Sequence, residues 1–500
     1  MKTRNLFLSL FAFAAVCACN KEMDPVGPEL MDKEAYVAVN IMATGTATKA
    51  PGDYVAGTAA ENAVKNALFL FYDAAGNPAT YAAPAIDGSW SPAEPQSPTD
   101  DGNNVATKTT VLVLENTLYK PASMLVILNY DPTVAKLTAA DGYHTKTLSA
   151  MKNELTGLKY NDGVDDYYTM TNSVYAKGTA TICEVSLAPE NFQTTPELAK
   201  TYPVSAYVER VAAKIDVDVV SVANNPTQIT LDGTPNVSLT PIVTGYEIVE
   251  TPSTSYLFKN IDPNTWNTAW PAWTNDAEFR SFWALMPDKA YYEINNPAHS
   301  AIVKKTNFVD YYYENTSGQE TTTKLLVAVQ LKKDGTEEVD FVKYAGMYYS
   351  LETFKQMTKD ALSSEVVITP STMFEVVAHN ASPSKRFEMH LQLNDSYTGG
   401  DKETLNASLE ARKALYWEKG KAYYYVDVQS GSSVEGYKSG VVRNHYYDID
   451  VNSISGLGVP VPDASASIDP EPVAEEQYNV AATINILEWK IVSQEVNFEM

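Results

Sequence analysis

The sequence predicts an all-β protein made of two Greek-key β-sandwiches, and three observations predict it. Apolar runs of strand length recur at 67–72, 110–114 and 124–128, each bounded by turn residues such as Gly76-Asn77 or Asp131-Pro132. Asp-Gly pairs at Asp87, Asp101, Asp141, Asp162, Asp232 and Asp334 punctuate the chain where tight turns belong. The 32 tyrosines, with many valines and threonines, suit pleated surfaces, and helical periodicity is scarce.

The elements follow in chain order. Lys2 and Arg4 precede the apolar run 6–16, which is too short to span a bilayer and reads as a signal peptide over 1–18. Its end, Val16-Cys17-Ala18-Cys19, resembles the lipobox of bacterial lipoproteins, with Cys19 as the acylated residue; an ordinary secretory peptide with incidental cysteines is the plainer alternative. Acylation leaves Cys183 as the other mature cysteine, so no internal disulfide forms, and its strand-like surroundings suggest a buried, inert thiol.

After a polar tether, Ala35, Val37, Val39, Ile41 and Ala43 fall on alternate positions, the pattern of a half-buried strand. The stretch 44–53 that follows is small, polar and turn-forming, an exposed and cleavable loop. Leu148, Met151, Leu155 and Leu158 fall at helical spacing, as do Phe354, Met357 and Ala361. Alternation resumes at Ile215, Val217 and Val219, which places a boundary between sandwiches of 50–205 and 206–458. The clearest hairpin is expected around Asp334, between 324–332 and 336–344.

Residues 459–500 read as an extended, proline-rich acidic arm that ends in a strand. Val492, Val496, Phe498 and Met500 share one face, interrupted by Gln494, and Trp489 and Ile491 open the segment. A strong strand on a flexible arm leaves an edge to be paired. The segment looks made to pair with another molecule.

Composition narrows the function. With 37 basic and 62 acidic residues the net charge is -25, which disfavours nucleic acid and anionic membrane surfaces as partners. Five scattered histidines and three cysteines give no metal-ligand pattern. Gly-x-Ser-x-Gly, His-Glu-x-x-His and phosphate-loop motifs are missing, so no enzyme and no cofactor is expected. The acidic stretch 162–166 could hold calcium but lacks a closing glutamate, and a solvated loop is the simpler reading.

Several motifs in order resemble the fimbrillins of Bacteroidales type V pili, and most closely the shaft subunits of minor fimbriae. They are the lipobox, the strand before a basic cleavable loop, Glu209-Arg210 to Lys214, Trp417-Glu418-Lys419-Gly420-Lys421 to Tyr425, Arg443-Asn444-His445-Tyr446-Tyr447, Gly456-Leu457-Gly458 and the tail from Trp489. The resemblance implies two transthyretin-like sandwiches exported as an outer-membrane lipoprotein. A trypsin-like protease would cut between Lys49 and Ala50, removing the propeptide 19–49 with its strand. The C-terminal donor strand of another copy would fill the groove, giving a head-to-tail fimbrium with anchor and tip subunits that mediates adhesion. Known relatives are cut after Arg, and this chain offers Lys.

Re-burying about five apolar side chains at ~1.5–3 kcal/mol each gives an upper bound of ~8–15 kcal/mol, enough to hold an inserted strand for good. The rival reading is a tip adhesin or glycan-binding surface lipoprotein that does not polymerise. It rests on Trp266, Trp270, Trp273 and Trp283, which could stack on sugars or pack a core.

Overall fold

The computed structural model describes residues 35–44, 57–84, 105–114, 121–173, 175–177, 180–218, 222–261, 286–287, 298, 301–302, 308–316, 322–362, 370–381, 386–430, 438–463, 465, 468, 479–486 and 494–495. Its strands are β1 (Ala35–Thr44), β2 (Ala67–Tyr72), β3 (Pro78–Ala82), β4 (Val105–Leu114), β5 (Ser123–Leu128), β6 (Met170–Asn172) and β7 (Val204–Arg210) in the first sheet. They lie in the order β3-β2-β5-β6-β7-β1-β4, and Val185–Ser186 also pairs with β5. The two ends of this path, β3 and β4, come within 8 Å by Cα, so the sheet curls into a nearly closed barrel.

The apolar run 67–72 is β2 itself, buried at every position. Phe69 and Phe71 face a core shared with Val37, Val39, Leu112 and Val126. Leu68 and Leu70 face a second core with Met151, Leu257 and Val442. Both faces are covered, which is why the run shows no polar alternation. Helical spacing at 148–158 yields only the one-turn helix Leu148–Met151, capped by Thr147. Leu155 instead enters a two-residue strand that pairs with Ser255–Tyr256, because its backbone finds a ladder partner there.

Only Val211 separates β7 from β8 (Ala212–Asp218). There follow β9 (Thr227–Leu231), β10 (Thr234–Val249), β11 (Phe308–Tyr313), β12 (Lys324–Lys333), β13 (Phe341–Tyr344), β14 (Met347–Ser350), β15 (Phe374–Ala381) and β16 (Arg386–Leu393). The last are β17 (Leu415–Trp417), β18 (Lys421–Asp427), β19 (Tyr446–Ser455), β20 (Val459–Pro460), β21 (Asn479–Ile486) and β22 (Gln494–Glu495). One sheet runs β11-β8-β19-β21-β22, and a second runs β17-β13-β14-β9-β10-β12-β18-β20. They share one core, in which Ile215, Val217 and Ile449 meet Ile248, Val327 and Tyr424. The architecture is all-β and multi-sheet, consistent with a β-sandwich.

A smaller core joins the β15-β16 hairpin to helices α1 (Leu351–Leu362) and α2 (Lys402–Glu410). The expected helix at 354–361 is α1, but its buried residues are Phe354, Thr358 and Leu362, while Met357 is 38% exposed. The expected hairpin at Asp334 needs correction. Asp334 and Gly335 do form a left-handed turn at φ 50° and 79°, closed by reciprocal backbone bonds between Lys333 and Glu337, but the pairing goes no further: β12 pairs with β10 and β18, and β13 pairs with β14 and β17. β12 finds longer ladders with β10 and β18, and β13 turns back at Ala345-Gly346 to pair with β14 instead.

The expected arm is tied down at its start. β20 pairs with β18, and Val459, Val461 and Ile468 are buried with Leu326 and Tyr423. Among the described residues no helix is long and apolar enough to cross a membrane.

Candidate functional site

Ala35, Val37, Val39, Ile41 and Ala43 all lie in β1. Cys19, Lys49, Ala50, Trp489, Ile491, Val492, Val496, Phe498 and Met500 lie outside the described residues, as do Trp266, Trp270, Trp273 and Trp283. β1 runs antiparallel to β4 from Ala35↔Leu114 to Thr44↔Val105, and parallel to β7 from Val39↔Val204 to Ala43↔Val208. Its removal would therefore leave two unpaired backbone rows facing each other. Val37 and Val39 are fully buried against Leu112, Leu114, Val204 and Val208. Ala38, on the opposite face, is fully buried too, so at this point the strand is covered on both sides rather than half-buried.

No tight hairpin joins β1 to either neighbour. A parallel pairing demands a long crossover, and the chain visits β2 and β3 before it returns as β4. One cut between Thr44 and Ala67 would leave β1 held by ladder bonds and packing alone.

At the other end of the chain, β21 pairs with β19 from Tyr447↔Ile486 to Ser455↔Asn479. β22 folds back onto β21, with Ile484↔Gln494 and Thr483↔Glu495 in register, and ends the sheet among the described residues.

The motifs singled out from the sequence meet in pairs. Trp417 stacks on Phe341 with centroids 4.6 Å apart, and its Nε1 donates to the Leu457 carbonyl at 3.0 Å. The Tyr424 hydroxyl donates to the Gly456 carbonyl at 2.8 Å. A Cβ on Gly458 would sit 2.9 Å from the Tyr423 carbonyl oxygen. Thus Trp417 to Tyr425 clasps Gly456-Leu457-Gly458, the point where the tail departs.

The second pair joins Glu209-Arg210 to Arg443-Asn444-His445 at the crossing between the sheets. The Asn444 amide donates to the Ala212 carbonyl at 2.7 Å, and the Lys214 amide to the His445 carbonyl at 2.8 Å. Arg443, with no exposed surface, bonds Glu314 through Nε at 3.0 Å and again through Nη2, and donates to the Tyr256 and Leu257 carbonyls. Beside it Glu209 and Lys259 pair at 3.1 Å, both buried. Burial pushes the Glu209 carboxyl above the ordinary range, and Lys259 and Arg443 offset this only in part. Such pairs add little net stability, but losing one partner costs about 3–5 kcal/mol. The buried charges therefore fix geometry. Sequence reasoning saw the motifs but missed Lys259, Glu314 and Ser255, whose hydroxyl donates to Glu314 at 2.8 Å; none of the three carries a local signal.

The acidic stretch at 162 proves to be a turn. The Asp162 carboxylate accepts from the Val164 and Asp165 amides and pairs with Lys65 at 2.6 Å, which lowers its pKa to about 2. Among the described residues no group of His, Cys, Asp and Glu could hold a metal ion. Cys183 is buried, and burial raises its thiol to about 12, far from a reactive thiolate.

A family model described as "Major fimbrial subunit protein type IV, Fimbrillin, C-terminal" matches residues 415–495, from the start of β17 to the end of β22. No curated protein matches the chain. Similar solved structures include a candidate cell adhesion protein from Parabacteroides distasonis ATCC 8503, at 14% identity and TM-score 0.43, with 91% of this chain and 98% of that one covered. A fimbrilin from Porphyromonas gingivalis W83 gives 14% identity and TM-score 0.39 over 92% of this chain and 98% of that one. The tip fimbrial protein of Porphyromonas gingivalis gives 10% and 0.34, over 91% and 100%.

Proposed function

We propose that this chain is a structural pilin that polymerises by protease-triggered strand exchange into adhesive fimbriae on a bacterial surface. The match of residues 415–495 to the fimbrillin C-terminal family carries the reading. The placement of β1, paired on both sides and tied by no tight hairpin, supports the mechanism.

In this scheme Cys19 carries lipid and holds the precursor on the outer membrane. A trypsin-like protease cuts after Lys49, β1 leaves, and the new chain begins at Ala50. The segment opened by Trp489 and Ile491 then enters the groove of another copy, with Val492, Val496, Phe498 and Met500 on its apolar face. The halves 50–205 and 206–458 act as transthyretin-like Greek-key sandwich units, with residues 206–210 of β7 still in the first sheet. Strand addition from one copy to the next is heterologous and open, and so builds filaments rather than closed rings. Anchor and tip subunits end the polymer, and the chain itself catalyses nothing.

Edman sequencing of fimbriae sheared from cells tests this directly. The expected first residue is Ala50. A first residue before Ala35 would show that β1 stays in place, and would return the protein to the class of monomeric surface binding modules.

A further inference from the structure

This inference rests on the strand-removal reading above and concerns the interval after β1 leaves and before a donor arrives. We infer that Glu61, with Arg210 and Lys214, anchors the segment just behind the cut to the neighbouring sheet, so that the vacated groove keeps its shape.

The segment 57–62 is folded as a turn. The Thr58 amide donates to Glu61 Oε2 at 2.7 Å, and Thr58 Oγ1 accepts from the Glu61 amide at 3.3 Å. The other carboxylate oxygen, Oε1, is left for the second half of the molecule. It pairs with Lys214 Nζ of β8 at 2.8 Å and accepts the Tyr311 hydroxyl of β11. Glu61 is only 2% exposed. Burial alone would raise its carboxyl, but the bonds to Lys214 and Tyr311 outweigh burial and hold it below the ordinary range. The group is thus charged and compensated at neutral pH.

Arg210 closes the arrangement. Its Nε donates to the Glu61 carbonyl at 3.0 Å, Nη2 bonds Asn62 Oδ1, and Nη1 reaches Asn444 Oδ1 at 3.3 Å. A Cβ on Gly57 would lie 2.5 Å from Nη2, so a side chain there would have to push the guanidinium aside. Further along, Asn129 holds Ala63 and Lys65 to the first sheet. The segment is therefore fixed at both ends, and its Glu61 end is the one that bridges to the second half.

The link to the groove is β7. Its residues 204–208 form one wall by pairing with β1, while on its other side β6 pairs with Val208 to Arg210 and the Ser173 amide donates to the Tyr207 carbonyl at 2.8 Å. Once β1 is gone, residues 204–208 lose the ladder on the groove side. Arg210, two residues beyond the wall, then tethers its end through its side chain. Glu61 holds Arg210 through its carbonyl and holds the second half through its carboxylate.

Hydrogen exchange by mass spectrometry tests this on the full chain, uncut and after trypsin treatment. The variants are Glu61→Gln, and Tyr311→Phe, which keeps the ring packed on Tyr168. Uptake of a synthetic peptide of residues 489–500 is followed alongside. Uncut variants should exchange like the wild type over 204–210, where β1 still pairs, and differ only over 57–62, where the lost bonds lie. Cut Glu61→Gln should exchange roughly tenfold faster or more over 57–62 and 204–210, the factor that a lost charge-assisted hydrogen bond carries. Cut Tyr311→Phe should show a smaller rise, and decides the matter alone if Glu61→Gln does not fold. Equal exchange in cut wild type and cut variants would overturn the anchor. If the cut wild type takes up no peptide while the exchange contrast persists, strand exchange fails and the anchor stands.

Discussion

Asp448 stands in direct register with Asp216 across two parallel strands, and Asp450 stands opposite Asp218 in the same way. Like charges placed opposite each other weaken a strand pair by a few tenths of a kcal/mol up to about 1. Burial first, then Asp450, Asp216 and Asp218, push the Asp448 carboxyl up to about 6. The Tyr446 hydroxyl, donating to Asp216 at 2.8 Å, serves a different carboxylate. A carboxyl raised in the folded state contributes its stability below the unfolded value of about 4 and loses it as pH rises through about 6. Between pH 5 and pH 7.5, wild-type stability should thus fall more than that of Asp448→Asn, and the variant should be the more stable at pH 7.5. Urea midpoints at the two pH values check this, and parallel pH dependences would contradict it. The alternation of Ile215 and Val217 with Asp216 and Asp218 separates an apolar face of β8 from an acidic one. That its partner would be β19, with the same acidic parity, is a property of nonlocal pairing and left no local trace.

At the scale of single elements, short unbroken apolar runs were the easiest to read: 67–72 became β2 and 124–128 fell inside β5, both covered on both faces, while 110–114 fell inside β4, where Leu112 and Leu114 are buried and Val113 is exposed. Such runs need no partner information to be recognised as strands. Helix α2 escaped because its buried residues reduce to Leu405 and Leu409, too few to set a period. The Asp334-Gly335 turn and its first rung, Lys333 to Glu337, were legible and the extent of the pairing was not, since β12 is claimed by β10 and β18 and β13 by its neighbour β14. Turn glycines also differ in ways that sequence hides. Gly420 has φ +74°, and a Cβ there would lie 2.2 Å from the Leu331 carbonyl oxygen of β12. Gly335 has φ +79° with nothing within 4 Å. Gly335→Ala should therefore cost only the left-handed penalty of about 1–2 kcal/mol. Gly420→Ala should cost clearly more, because β18 and β12 must also separate. Chemical denaturation of the two variants compares them, and equal losses would mean that the β12 contact is relieved without strain.

Across the whole molecule, motifs far apart in sequence converge. Glu209-Arg210 meets Arg443-Asn444 where the sheets cross, and Trp417 to Tyr425 meets Gly456-Leu457-Gly458 where the tail departs. The motifs could be read singly because each is locally dense in aromatic and charged residues; their pairing could not. The tail is where sequence pattern and assembly meet most directly. In the proposed polymer the apolar face of 489–500 replaces that of β1 in a neighbouring copy, where Val37 and Val39 are now fully buried. Neighbouring residues of a strand point to opposite faces, so neighbouring substitutions should act oppositely. Val496→Asp or Phe498→Asp would carry an unpaired carboxylate into the groove, at a cost of several kcal/mol. Asn497→Asp would meet solvent and be tolerated. Deleting 489–500 should leave a folded, secreted and cleavable subunit that cannot extend a filament, because the core-forming strands β1 to β20 precede it. Electron microscopy and unheated gels of these variants check the contrast: full-length ladders from Phe498→Asp, or equal defects from both faces, would mean that the segment does not fill a groove.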